Sequence, residues 1–338
     1  MVGALQRENS VRIAVIGTSN AVLRGGYFYG MSDHPAVTRI DNFSIGASTS
    51  VALPMWMKAH DFRDYDFVLL DFALNEEAWV KLGFSSIQTV EGCLMAFIAS
   101  LGLEGPRPVM AILPSLSVRA DVMPVRDLYR RIAADYGYPL FDGYDYLDRE
   151  GLTYAIGEGS AFLDVDHMQR DIGHAFGAEI ATALADIARQ DVIRMARQVD
   201  VGNFRYIDLA EHEVHHATLV DRASSVIGAR MVRLTGDASV DIHLPTEVDL
   251  IGIGTNISQS NAQLCISCAA GRAYQSGNLK NFSGEEDRLT YSIVPMMPLR
   301  GRDFTIALAP GQNPAMVAEV IGLTALEDWS TAIVPACY

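Results

Sequence analysis

The chain has 338 residues, 49% of them hydrophobic and 20% charged, a balance that excludes a disordered or collagen-like main state and leaves room for about two domains. Lys and Arg total 26 against 41 Asp and Glu, a formal net charge of −15, so neither nucleic acid nor an anionic membrane is expected as a partner. No stretch reaches the ~18 consecutive apolar residues of a membrane span, and the polar opening from Met1 to Ser10 lacks the apolar run of a secretory signal; a soluble cytoplasmic protein is expected.

The first half alternates short β-branched apolar runs with helical patterns. VRIAVIG (Val11 to Gly17), FVLLDFAL (Phe67 to Leu74) and PVMAILP (Pro108 to Pro114) have the continuous apolar character of strands buried on both faces. Between and after them, Ser86 to Leu101 places Ile87, Val90, Leu94, Phe97, Ile98 and Leu101 close to one helical face, and Met123 to Tyr136 predicts another helix. A last long helix is expected over roughly Ile172 to Val199, carrying Ile180, Leu184, Ile187, Val192 and Met195. The βαβα order predicts a parallel sheet covered by helices on both sides.

From about Asp200 the pattern changes to alternation, in ARMVRLTG, SVDIHLP, VDLIGIG, AQLCISC, LTYSIVP, DFTIALA and AMVAEVIGL. Short strands separated by Gly, Pro, Asn and Asp predict an antiparallel β-sandwich or jelly roll. The boundary is placed near residue 200, giving domains 1–200 and 201–338; the segment Gly202 to Asp221, with His212, His215 and His216, reads as linker or as first strands. Cys93, Cys265, Cys268 and Cys337 are too few and too scattered for a disulfide framework, and reduced thiols are expected. Cys265 and Cys268 form a C-x-x-C, but on an alternating strand they point to opposite faces and no second pair completes a metal site, so no metal and no cofactor is expected.

The strongest local signal follows the first strand, where Gly17-Thr18-Ser19-Asn20 turns into a helix beginning near Ala21. Ser19 then lies at the carboxyl edge of the sheet, where open α/β folds assemble sites, beside the free N–H groups of a helix start. Thr18, Ser19 or Asn20 equally suits a simple helix cap. Phosphate-binding glycine loops are absent. A serine nucleophile needs a base, and the base needs an orienting group. Asp164-Val165-Asp166-His167 precedes the last helix of this domain and supplies both, with Asp166 a competing partner and His174 a second base candidate. Gly46, at the end of the second strand, and Asn75, at the end of the third, sit where donors to a developing oxyanion are needed.

The ordered set Ser19, Gly46, Asn75 and Asp164-x-x-His167 resembles the SGNH hydrolases, the GDSL-type esterase and lipase superfamily. Their blocks are a serine in a G-D-S-like motif, a glycine, an asparagine in a G-x-N-D-like motif, and D-x-x-H before the final helix. The resemblance covers about residues 11 to 190. It implies a flavodoxin-like three-layer α/β/α domain with Ser19 as nucleophile, His167 as base and Asp164 orienting it. The Ser19 N–H, the Gly46 N–H and the Asn75 side chain would form the oxyanion hole. The first block departs from G-D-S-L as Gly17-Thr18-Ser19-Asn20, and the third from G-x-N-D as Ala73-Leu74-Asn75-Glu76. Ordinary α/β-hydrolases share the order Ser, Asp, His, but their G-x-S-x-G is not met at Gly17-Thr18-Ser19-Asn20-Ala21.

The expected activity is hydrolysis of small acyl esters, acetyl foremost. The β domain resembles the accessory modules of carbohydrate-active SGNH enzymes, so an O-acetylated saccharide is the expected substrate. Arg24, Trp56 and Trp79 are candidate pocket residues, a guanidinium to grip a carboxylated sugar and indoles to stack on one. An O-acyltransferase using the same residues and a non-catalytic saccharide-binding protein are the alternatives, and homo-oligomerisation is left open.

Overall fold

The structure, a computed structural model, describes residues 10–190, 193–223, 228–276, 291–313 and 315–337. The polar opening over residues 1–9, Val192 and the first two residues of LTYSIVP lie outside them.

The first domain is a five-stranded parallel sheet of order β2-β1-β3-β4-β5, built from β1 (Val11–Gly17), β2 (Val37–Asn42), β3 (Phe67–Asp71), β4 (Arg107–Ile112) and β5 (Leu140–Asp142). This is the flavodoxin-like order, in which sites form at the carboxyl ends of the strands. All five residues of β3 are buried, as its unbroken apolar run requires of a strand covered on both faces. On one face lie α3 (Leu53–Ala59), α4 (Ala73–Lys81), α5 (Ile87–Leu101) and α6 (Pro124–Tyr136), and on the other α1 (Ser19–Val22), α2 (Tyr27–Ser32), α7 (Gly143–Arg149) and α8 (Arg170–Ala188). The predicted periodicity of α5 is realised: Ser86 caps it by accepting from the Thr89 N–H at 3.0 Å, and Val90, Leu94, Phe97 and Ile98 are fully enclosed. Each such side chain contributes about 1.5–3 kcal/mol by leaving water.

The last helix ends at Ala188, and the residues expected to extend it to Val199 instead enter β6 (Arg194–Asp208). The 180, 184, 187 periodicity stops at that helix end. Beyond it each residue from Arg194 to Asp200 pairs across to β14 (Val317–Cys337), so ladder bonds override the local helical pattern. Strand β6 therefore runs through residue 200, where the sequence pattern changes.

The second domain is a single antiparallel network with β7 (Glu213–His215), β8 (Thr218–Ala223), β9 (Gly228–Thr235), β10 (Ser239–Asn256), β11 (Gln263–Cys268), β12 (Gly271–Ser276) and β13 (Tyr291–Leu308). Its order is β12-β11-β13-β10-β14-β9-β8, with β6 on β14 and β7 on β10. Its own core includes Leu234, Val240, Ile242, Leu250, Leu264, Ile266, Phe304 and Leu323. Its opposite face, with Ile251, Ile293, Ile321 and Phe204, joins the core of the first domain. Trp329 of β14 lies over Gly92 of α5, where any Cβ would meet the indole at 2.7 Å. The four cysteines are free. No helix among the described residues is long and apolar enough to cross a membrane.

Candidate active site

Strand β1 ends at Gly17, a position where nothing larger fits: a Cβ there would lie 2.7 Å from Asp71 Cβ on β3. The chain then turns through Thr18 into α1, and Ser19 is the first helical residue. Thr18 holds the N-cap position without capping; its hydroxyl donates to Asp71 Oδ2 at 3.3 Å, and Tyr27 donates to the same oxygen at 2.9 Å. Burial pushes the Asp71 carboxyl up to about 8 against these two hydrogen bonds, so it is neutral at neutral pH and puts no charge beneath the turn.

The loop before α8 brings His167 to this turn. Its Nε2 lies 2.9 Å from Ser19 Oγ, and its Nδ1 lies 2.8 and 2.9 Å from the two oxygens of Asp164. The carboxylate can only accept, so it fixes the tautomer with Nδ1 protonated and leaves Nε2 with a lone pair toward the hydroxyl. Burial raises the Asp164 carboxyl, but the Asp166 N–H, the imidazole and the His167 N–H together hold it below its usual range. The orienting charge is thus present throughout the neutral range.

Asp166, the competing partner, faces the other way. Its carboxylate accepts from Ser115 at 2.7 Å and from Ser117, while Leu116 N–H bonds Val165 O at 2.8 Å. The histidine loop is thereby fastened to the segment after β4. His174 pairs with Asp33 on an exposed surface at 3.0 Å and does not join Ser19.

Gly46 lies four residues past β2. A Cβ built on it would be 3.9 Å from Ser19 Cβ and touch nothing else, which places this loop against the serine. Among the described residues its N–H has no acceptor. Asn75 is not at a strand end but in the first turn of α4, because β3 closes at Asp71 and the helix starts at Ala73. Its Nδ2 donates to Ser48 O at 2.8 Å, which engages one of its two N–H groups and, among the described residues, leaves the other. Next to it, Glu76 is fully buried and its Oε1 accepts from Ser50 N–H at 2.5 Å. Burial pushes Glu76 up to about 7 in spite of that bond.

The three candidate pocket residues are not drawn into this cluster. Trp56 is 1% exposed inside the first core, which corrects the expectation that its indole is open to a ligand. Trp79 packs against the second domain's core and edge-on to Phe84. Arg24 is exposed in the turn after α1, beside Gly25, where a Cβ would lie 3.7 Å from Arg170 Cβ. Among the described residues no group of His, Cys, Asp and Glu has the arrangement of a metal site.

A hydroxyl on an imidazole held by a carboxylate, beside N–H groups at a helix start and a neighbouring loop, can transfer an acyl group. No family model matches the sequence, and no curated protein does. In fold, the chain aligns over 97% of its length, and 95% of the other's, with a two-domain esterase (CEX) active on acetylated mannans, at 13% identity and a TM-score of 0.62. The fold is that of a two-domain esterase. The CEX structure co-crystallized with mannopentaose aligns over 97% of this chain and 94% of the other, at 14% identity and a TM-score of 0.61. An acetyl xylan esterase, AlAXEase, overlaps 52% of this chain and 99% of its own, at 18% identity and a TM-score of 0.41. The two-domain esterase fold accounts for both halves, an α/β domain of the type expected from the resemblance to the SGNH hydrolases and a separate antiparallel β domain.

Proposed function

We propose that the protein is a serine esterase that removes acetyl groups from O-acetylated saccharides. Ser19 is the nucleophile, His167 the general base and Asp164 the residue that orients it. The observation that carries this reading is the unbroken line from Asp164 through His167 to Ser19 Oγ, each step 2.8–2.9 Å. His167 Nε2 takes the hydroxyl proton as Ser19 Oγ bonds to the ester carbon. The carbonyl electron pair moves onto oxygen, where the N–H groups of Ser19 and Gly46 and the free N–H of Asn75 receive it. Collapse expels the sugar hydroxyl, protonated by His167. Water then gives a proton to His167 and attacks the acetyl-serine, and collapse releases acetic acid as His167 returns that proton to Ser19 Oγ. Likeness in fold to an esterase active on acetylated mannans supports the saccharide.

Fluorophosphonate labelling with peptide mapping, run beside acetate release from acetylated mannan, tests the assignment. Adduct on Ser19, absent in Ser19→Ala and slowed in His167→Ala, together with acetate release by the wild type, is the expected result. A folded wild type that takes no label and releases no acetate overturns it.

A further inference from the structure

The segment between Gly46 and α3 is held from two sides. From the first domain, Asn75 Nδ2 donates to Ser48 O at 2.8 Å and the Glu76 carboxyl accepts from Ser50 N–H. From the second domain come four bonds. Ser292 Oγ donates to Ala47 O at 3.3 Å, Ile293 N–H donates to Ser48 Oγ at 2.9 Å, Ile293 O accepts from Thr49 N–H at 3.1 Å, and Thr324 Oγ1 donates to Val51 O at 2.6 Å. Strand β13 pairs with β10 on one side along this stretch, and Ser48 and Thr49 bond its backbone from the segment. Ala47, the residue after the proposed oxyanion donor, has φ 57°, a left-handed conformation that a residue with a Cβ adopts at a cost and keeps where its surroundings impose it.

We infer that the β domain is part of the catalytic apparatus, with Ser292 and Thr324 as positioning residues that hold the Gly46 N–H on the oxyanion. The inference rests on Ser19 acting as the nucleophile. Simple adhesion between domains is the competing account, and isolated polar contacts elsewhere, Lys58 to Glu211 and Tyr138 to Pro335 O, fit it; adhesion alone has no reason to bond Ala47, Ser48, Thr49 and Val51 within one short segment that includes the residue in a left-handed conformation. The apolar contacts of Ile251, Ile293, Ile321 and Phe204 already join the domains. An oxyanion donor stabilises the transition state only where it is aimed before the charge develops, and a displacement near 1 Å costs on the order of 10²-fold. The effect belongs in kcat, since a donor aimed at the developing charge contributes little to ground-state binding.

The test uses the full chain with an acetyl ester substrate. Ser292→Ala and Thr324→Val are each expected to lower kcat about tenfold with KM within about twofold of wild type. In an Asn75→Ala background, where the segment has already lost the bond to Ser48 O that holds it from the first domain, the same substitutions are expected to cost less than about twofold. Equal losses in both backgrounds, or unchanged kcat in both single variants, overturn the positioning role while leaving the esterase reading intact. Should Ser292→Ala fail to fold, Thr324→Val, nearly isosteric, gives the reading. A wild type inactive on acetyl esters overturns the esterase reading and this inference with it.

Discussion

The side-chain amide of Asn20 donates to the backbone carbonyl of Asp166 at 3.1 Å, tying the residue after the nucleophile to the residue before the base. Asn20 is 3% exposed and Asp166 is itself fastened through Ser115 and Ser117. The 2.9 Å contact between Ser19 and His167 is therefore set by a frame running through both neighbours.

Asn20→Ala is expected to remove this tie while leaving all three members of the proposed triad in place. Loss of one partly buried hydrogen bond costs about 1–2 kcal/mol of stability, and loosening of the serine–imidazole contact lowers kcat about tenfold. Thermal unfolding and steady-state kinetics on one preparation check both. A wild-type kcat in the variant removes Asn20 from the frame.

Gly46 and Asn75 are expected to respond differently. Asn75→Ala removes an oxyanion donor and the hydrogen bond to Ser48 O together, so kcat falls about 10²- to 10³-fold and stability drops by about 1 kcal/mol. At Gly46 a methyl group meets only Ser19 Cβ, at 3.9 Å, so the fold tolerates it. That methyl group occupies space beside the nucleophile, where an ester carbonyl approaches. Gly46→Ala is expected to keep the wild-type melting temperature and lose activity. Equal activity of Gly46→Ala and wild type on acetyl and bulkier esters places the reacting carbonyl elsewhere.

Legibility in the sequence follows the range of the physics. Ser19 is placed at the carboxyl edge of the sheet by a buried strand that ends in glycine, a local signal, whereas its pairing with Asp164 and with His167, 148 residues away, is legible only through the resemblance to the SGNH hydrolases. The same local reasoning failed at residues 194–199, where pairing with a strand over 100 residues away decides the structure. It left Asn20 as one of three cap candidates, although its partner lies 146 residues downstream. Ser292 and Thr324 carried no signal at all. Their partners, Ala47 and Val51, are 245 and 273 residues away, and a serine or threonine on an alternating strand looks like any other. The indole of Trp56 was offered to a ligand because aromatic residues serve both cores and sugar sites, and only packing separates the two uses.

The buried carboxyl of Glu76 gives stability a pH dependence of definite sign. In the folded protein burial keeps it protonated up to about pH 7, whereas in the unfolded chain it ionises near its ordinary 4.5. Between those values the folded state binds more protons than the unfolded one, so stability falls as pH rises from about 4.5 and levels off above about 7. Asp71, raised to about 8 from 3.8, acts in the same direction over a wider window. Glu76 Oε1 already accepts from Ser50, while Oε2 has no partner among the described residues, so an amide of the same shape reproduces the neutral state. Glu76→Gln is expected to reduce the fall in melting temperature between pH 5 and pH 8 and to leave the part due to Asp71. Melting curves across that range on wild type and variant provide the check. Parallel curves for the two proteins exclude Glu76 as a source of the dependence.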